Sequence, residues 1–214
     1  MSRRSLRPIL VPIGVAVAIC LLTVRDGSAQ RQPPIAKFQA EAMDTSGATP
    51  QRAGKIEIDI EHWSKDGVGE KLGAAVDGGA AKLLDTLKSA GNPIGVIVSP
   101  GLQGLGARAR ERRSQSLLYA RDLKTAAGRQ IVIATDEHLG FGEPGRERVR
   151  SEANEFTVID IRFGANGKGV GKIALADHVT YNKATKSIEL SGYDKLPASL
   201  VDVTAPPVPP APKR

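Results

Sequence analysis

The stretch Ser116 to Phe141, SLLYARDLKTAAGRQIVIATDEHLGF, decides the fold class of this 214-residue chain. It holds two runs that favour β-structure, Leu117 to Leu123 and Gln130 to Thr135, joined by Lys124 to Gly128. The length of the joining segment and its glycine are typical of a β-hairpin. The sequence therefore predicts two antiparallel strands here, and the neighbouring segments extend the same pattern.

Six further segments are predicted to be strands, because apolar residues alternate with polar ones or β-branched residues cluster in them. In the first of these strands three isoleucines face one way and three acidic residues face the other. Asp66 to Ser89 instead has apolar residues at helical spacing and is broken at Gly78 and Gly79, which predicts two short amphipathic helices. The six strand segments are Lys55 to Trp63, Ile94 to Val98, Phe156 to Phe163, Lys172 to Val179, Ser187 to Gly192 and Ser199 to Val203.

We therefore expect an α+β fold built on an antiparallel β-meander of about eight strands. The sheet is expected to be curled or barrel-like, with the two-helix insert after the first strand. A chain of this length has room for one domain with terminal segments, and that domain is placed at residues 54–203.

Residues 1–29 have the features of an export signal. Basic residues that include Arg3 and Arg4 precede an apolar run, Ile9 to Val24, and the small residues Gly27 to Ala29 form a cleavage site. The apolar run is shorter than the ~20 residues that a spanning helix needs, so we expect cleavage and no transmembrane span afterwards. The predicted location is periplasmic or secreted, and the arginine pair leaves the general and the twin-arginine routes both open.

Cleavage after Ala29 would remove Cys20, the only cysteine. Disulfides, thiolate metal sites and cysteine nucleophiles would then be excluded. The formal charge would fall from +7 to +4, because the signal holds four arginines and one aspartate. On either side of the domain we expect a flexible linker, residues 30–53, and an extended proline-rich tail, residues 204–214.

Seven short motifs lie between Ile56 and Val203: Glu61 to Ser64, Leu118 to Arg121, Arg129 to Asp136, Gly140-Phe141, Phe156 to Phe163, Gly167 to Lys172 and Ile188 to Leu190. Together they resemble those of an uncharacterised family of exported bacterial proteins that has no assigned activity. The resemblance implies export and a single domain, and it supplies no catalytic residue. The segment Gly101 to Ser114 is longer here than in the family pattern.

Arg121 is the first candidate for a binding residue. Tyr119 and Arg121 share one face of the predicted hairpin, so the guanidinium is expected to point inward and to need a carboxylate partner. Asp136 and Glu137, at the end of the paired strand, are the nearest in sequence. A curved sheet would offer a concave face where Tyr119, Arg121 and Asp136 bind a small anionic or polar ligand.

The three histidines each follow a carboxylate, as Glu61-His62, Glu137-His138 and Asp177-His178. Imidazole and carboxylate groups suit zinc, iron or manganese, so a metal-dependent hydrolase with Glu137 or Asp177 as base is the alternative hypothesis. Adjacent strand residues face opposite ways, however, so each pair offers at most one ligand. No serine elbow, phosphate-binding loop or dinucleotide fingerprint is present, and we predict no cofactor.

The leading interpretation is a non-enzymatic exported domain that binds a small anionic ligand or a component of the cell envelope. The arginines between residues 108 and 113 lack interleaved aromatic residues, which argues against nucleic acid as the partner. A third hypothesis is a structural protein that docks through Trp63 or the proline-rich tail. The oligomeric state does not follow from the sequence.

Overall fold

Eleven β-strands and two α-helices make up the part of the chain that the computed structural model describes, residues 33–44, 51–99, 113–137, 139 and 156–206. These residues belong to one compact unit, Gln32–Arg214. The predicted export signal, most of the proline-rich tail, the arginines before residue 113 and His138 lie outside the described residues.

The strands are β1 (Ala36–Asp44), β2 (Gln51–Ile60), β3 (Gly95–Ser99), β4 (Arg113–Leu117), β5 (Tyr119–Thr125), β6 (Gly128–Thr135), β7 (Thr157–Phe163), β8 (Gly169–Leu175), β9 (Val179–Asn182), β10 (Ser187–Leu190) and β11 (Ala198–Thr204). The helices are α1 (Asp66–Ala75) and α2 (Gly79–Ser89), joined by the 3₁₀ turn Val76–Gly78. Gly79, where α2 begins, has a φ of 78°, a backbone conformation that glycine adopts without strain. No helix among these residues is long and apolar enough to cross a membrane.

Nine strands form one antiparallel sheet in the order β4-β3-β2-β1-β11-β8-β7-β6-β5, while β9 and β10 form a separate hairpin. The two edge strands, β4 and β5, are separated in the chain by Leu118 alone. Residues 113–125 therefore run as a nearly continuous strand that pairs first with β3 and then with β6. This shared strand brings the two edges together, and the sheet is nearly closed into a barrel.

The inside of the barrel is filled with apolar side chains from all parts of the sheet. Alternation along each strand turns these residues inward, and most of them are less than 5% exposed. Two rings meet at one end, where the centroids of Phe38 and Phe163 are 6.0 Å apart and the guanidinium of Arg129 lies over both. The interior includes Ile56, Ile58, Ile60, Ile97, Leu117, Ile131, Ile133, Ile159, Ile161 and Leu200.

A second apolar layer covers the outer face of β5, β6 and β7. Both helices and the β9–β10 hairpin contribute to it, with Leu72, Leu83, Leu87, Tyr119, Val132, Phe156, Val158 and Ile188 fully buried or nearly so. Helix α1 comes very close to the hairpin at two glycines. A Cβ atom at Gly69 would overlap the carbonyl oxygen of Lys186, and one at Gly73 would overlap the ring of Tyr181.

The α+β class with a mainly antiparallel, barrel-like sheet is confirmed, and so is the hairpin of β5 and β6. The strand number is higher than predicted, and the helices follow the second strand because β1 precedes them. The meander is also interrupted, since β9 and β10 pair only with each other and β11 lies between β8 and β1.

The largest difference concerns residues 30–53, for which the sequence predicts a flexible linker. Ala36–Asp44 is instead a nine-residue strand in the middle of the sheet. Phe38, Ala40 and Ala42 alternate into the core, and pairing with β2 and β11 supplies the stabilisation that this short apolar pattern lacks in isolation.

Candidate functional site

Tyr119 lies outside the barrel, beneath the helices, rather than on a concave face. Its side chain is fully buried, and its hydroxyl is 2.9 Å from Oγ of Ser187 on β10. Burial raises the pKa of Tyr119, so the hydroxyl stays protonated and can share a hydrogen bond with the serine. This contact links the outer hairpin to the barrel wall.

Arg121 links the start of α1 to β5, an edge strand at the point where the sheet nearly closes. Its Nη1 lies 2.6 Å from Oδ1 of Asp66 and 3.4 Å from the carbonyl oxygen of Ser64. The hydrogen bond and the charge of Arg121 hold the pKa of Asp66 below its usual value. Ser64 also exchanges two hydrogen bonds with the backbone of Ala120, at 2.8 and 3.1 Å. The segment after β2 therefore binds to the edge of β5.

The prediction that Asp136 or Glu137 is the partner of Arg121 is wrong. The outer face of β5 contacts the chain that follows β2, and Arg121 pairs there with Asp66. Arg121 is opposite Val132, four residues before Asp136, which corresponds to about 13 Å along the strand. The structure thus gives Tyr119 and Arg121 structural partners, and Arg121 is paired with Asp66 instead of Asp136. Their role in ligand binding stays a prediction.

The histidines are placed at two separate positions. His62 follows the end of β2 and is exposed, and its backbone N–H donates a hydrogen bond to the carbonyl oxygen of Ile94. His178 ends a 3₁₀ turn, with its Nε2 3.9 Å from Oδ2 of Asp177. Within the described ranges no three His, Cys, Asp or Glu side chains are grouped so that they could hold a metal ion. His138 lies outside those ranges, and the hydrolase hypothesis stays untested.

A cleft of about 270 Å³ opens on the outer face of β11, β1 and β2. Ligand pockets typically have volumes of about 300–1,000 Å³, so this one suits a small molecule. Its lining combines carboxylates, cations, an amide and a hydroxyl. We call it the Asp202 cleft, and it is lined by Gln39, Ala40, Glu41, Arg52, Lys55, Ile56, Glu57, Asp202 and Thr204.

A β-bulge positions Asp202 beside this cleft. Strand β11 contains one residue more than either neighbour, since its register shifts against β1 and against β8 at this point. Asp202 lies in this bulge. Its φ is 51°, in the left-handed region that non-glycine residues seldom adopt. The bulge lets both Leu200 and Val203 point inward and leaves the carboxylate of Asp202 exposed.

The charges of the cleft are arranged across the strands. On β1 the carboxylate of Glu41, 15% exposed, lies 3.3 Å from Nε of Arg52, and Lys55 is directly opposite Glu41 in the register. In the described part of the chain, neither Lys55 nor Asp202 forms an ion pair. The cleft therefore presents an uncompensated acid on β11 and an uncompensated cation on β2.

A buried carboxylate, Asp160, lies elsewhere on the outer face of the barrel. Nε2 of Gln130 is 3.0 Å from both of its oxygens, and Nη2 of Arg162 is 3.2 Å from one of them. The guanidinium of Arg162 in turn stacks 3.7 Å above the ring of Tyr193. Burial raises the pKa of Asp160 despite these donors. This network joins β6, β7 and the turn before β11, and none of its residues lines the Asp202 cleft.

Lys172 and Ser199 form a contact of a type that some hydrolases use to activate a serine. Here Nζ of Lys172 donates to Oγ of Ser199 at 2.8 Å and to the carbonyl oxygen of Leu196 at 2.9 Å. Ser199 is only 8% exposed and lies within the sheet, where its strand is paired on both sides. The lysine therefore holds β11 and the preceding turn against β8.

The residues of the Asp202 cleft were not among the candidates from the sequence. Gln39 and Glu41 fall in the predicted linker, and the bulge at Asp202 depends on the registers of two neighbouring strands. The only available signal was the alternation of Lys55 and Glu57 with inward isoleucines. Searches of family models, curated proteins and solved structures found no match to this chain.

Proposed function

We propose that this chain is an exported, non-enzymatic binding domain that holds a small polar ligand in the Asp202 cleft. The observation that carries the proposal is the position of Asp202, held at a φ of 51° beside a cleft. A non-glycine residue in this region costs free energy and persists where the surrounding structure enforces it, and such residues are concentrated at binding sites. β-Bulges are also frequent next to active sites, where they change the direction in which a side chain points.

The composition of the cleft favours binding over catalysis. The described residues that line it include neither histidine nor cysteine, the side chains that most often serve as general base or nucleophile near neutral pH. The inside of the barrel is occupied by its own side chains, so the outer cleft is the better candidate for the ligand. Free solutes and polar groups of the cell envelope both carry suitable chemistry.

Export is part of the proposal because of the sequence. Residues 1–29 combine a basic start, an apolar run and small residues before the cleavage position, and the rest of the chain has no cysteine. The resemblance to an exported family agrees with this location. A periplasmic or secreted domain would meet small polar ligands as they pass through the envelope.

The test is an NMR titration of the ¹⁵N-labelled protein with small polar compounds, including sugars, amino acids, short peptides and inorganic phosphate. We expect amide shifts at Gln39, Glu41, Lys55 and Thr204 with at least one compound. Asp202→Asn should weaken that binding, because asparagine tolerates the left-handed backbone but carries no charge. Asp85→Asn, on the exposed face of α2, is the matched control and should bind as the wild type does.

Shifts that instead cluster at Tyr119, Arg121 and Asp136 would transfer the site to the residues first indicated by the sequence. Unchanged binding by the Asp202→Asn variant would also contradict the proposed site.

A further inference from the structure

We propose that the ligand of the Asp202 cleft is a short zwitterion, of the size of a peptide of three residues with free amino and carboxyl ends; this inference rests on the proposed binding function. Asp202 would receive the ammonium group, and Lys55 would receive the carboxylate. The assignment follows from which charges in the cleft are already compensated and how far apart the remaining ones lie.

The compensated charges occupy the middle and one side of the cleft. Glu41, on the central strand β1, has Nε of Arg52 at 3.3 Å. Glu57 also has an interaction partner. Asp202 and Lys55 remain as the uncompensated pair, with opposite charges on opposite sides of β1. A ligand with one positive and one negative end would satisfy both, whereas a ligand with a single charge would leave one of them without a partner.

The separation of the two charges sets the length of the ligand. Asp202 is on β11 and Lys55 is on β2, and one strand lies between them. Neighbouring strands are about 4.8 Å apart, so the two backbones are roughly 10 Å apart. An extended peptide gains about 3.3–3.6 Å per residue, so three residues span a similar distance. A single α-amino acid is too short to reach both ends in an extended pose.

The groups between the two ends suit a peptide backbone. Gln39 and Thr204 form a cross-strand pair next to the bulge, and both are exposed. Their amide and hydroxyl groups can donate hydrogen bonds to carbonyl oxygens and accept hydrogen bonds from N–H groups. None of the described side chains that line the cleft is aromatic, so none offers a surface on which a sugar ring could stack. The volume of about 270 Å³ leaves no room for a long chain within the cleft.

The experiment compares trialanine with two blocked forms, the C-terminal amide and the N-acetyl peptide. NMR titration gives both the dissociation constant and the residues that respond. Trialanine should shift the amides of Gln39, Lys55 and Thr204 and should bind about fivefold more tightly than either blocked form, since an exposed ion pair contributes up to ~1 kcal/mol.

Two variants of the full chain assign the ends of the ligand. Asp202→Asn should weaken trialanine about fivefold and leave the N-acetyl peptide unchanged, because that peptide has no ammonium group to lose. Lys55→Met should weaken trialanine and leave the C-terminal amide unchanged. The controls Asp85→Asn and Lys124→Met alter exposed charges far from the cleft in sequence and should change none of the three affinities.

The remaining outcomes distinguish failure of the zwitterion inference from failure of the proposed binding function. If the blocked peptides bind in the cleft as tightly as trialanine does, the zwitterion is wrong while the binding function stands. If a sugar or inorganic phosphate shifts the cleft and no peptide does, the same conclusion follows. If no compound shifts any residue of the cleft, both the inference and the proposed function are overturned.

Discussion

At the residue scale, Asp202 and Lys186 share an unusual backbone conformation. Both have a φ of 51° in a region where side chains other than glycine are strained. Lys186 ends the turn between β9 and β10, where the side chain of Asn182 accepts hydrogen bonds from the two residues at the centre of the turn. Asp202 instead lies inside a strand, where a turn gives no reason for this conformation.

Replacing Asp202 by glycine should therefore raise the free energy of unfolding by about 1 kcal/mol, because glycine adopts this backbone without strain. Urea denaturation of the wild type, Asp202→Gly and Asp202→Ala would measure it. The alanine variant should be less stable than the glycine variant. If Asp202→Gly is destabilised, as glycine is in a regular strand, the bulge is not strained.

Asp160 gives the protein a pH dependence of known sign. Its folded pKa is raised above the usual value of an aspartate, mainly by burial, so the folded state holds the proton more tightly than the unfolded state does. The stability that this group contributes is complete below the unfolded pKa and is lost as the pH rises through the folded pKa. Asp66, whose pKa is lowered by Arg121, acts in the opposite direction as the pH falls.

The substitution Asp160→Asn should remove the decrease in stability that deprotonation of Asp160 causes as the pH rises. We expect its free energy of unfolding to decrease less than that of the wild type between about pH 4 and pH 7, because asparagine has no proton to release. Urea denaturation at several pH values gives the comparison, with Asp85→Asn as the control for loss of an exposed carboxylate. Parallel pH profiles for the wild type and Asp160→Asn would contradict the raised pKa.

At the scale of elements, α1 is fitted to the hairpin of β9 and β10 through two glycines. Alanine at an exposed helical position stabilises a helix by up to about 1 kcal/mol relative to glycine. At Gly69 and Gly73 the added methyl group would meet the Lys186 carbonyl oxygen or the Tyr181 ring, and nothing lies within 4 Å of the same position at Gly67. Sterics and helix propensity therefore act in opposite directions within one helix.

We expect Gly73→Ala to lower the free energy of unfolding by about 1–3 kcal/mol, the usual cost of overpacking. Gly67→Ala should leave it unchanged or raise it by up to about 1 kcal/mol. Thermal denaturation followed by circular dichroism would compare the two variants with the wild type. A stabilised Gly73→Ala variant would mean that α1 can move away from the hairpin at little cost.

The elements also show which parts of the fold follow from local sequence. The β5–β6 hairpin, the alternating face of β2 and the helix break at Gly79 are encoded within a few residues of each other, and the sequence predicts them correctly. Strand β1 was missed because its inward side chains are few and two of them are alanines. Its stability comes from β2 and from β11, which lies about 160 residues further along the chain.

At the scale of the whole molecule, the candidate site could not be predicted from the sequence because it also depends on pairing between distant strands. The Asp202 cleft combines side chains from β1, β2 and β11, and it forms only when the N-terminal and C-terminal strands are paired. Arg121 illustrates the limit as well. Its face on β5 could be predicted, but the partner could not, because closure of the barrel brings the chain after β2 to this strand.

The pairing of β1 with β11 also has a consequence for biosynthesis. A growing chain can pair β1 with β2 early, but the other neighbour of β1, Ala198–Thr204, is synthesised about 160 residues later. Pairings between distant segments form slowly, so the sheet should remain open to added protease until β11 has been synthesised and has paired with β1.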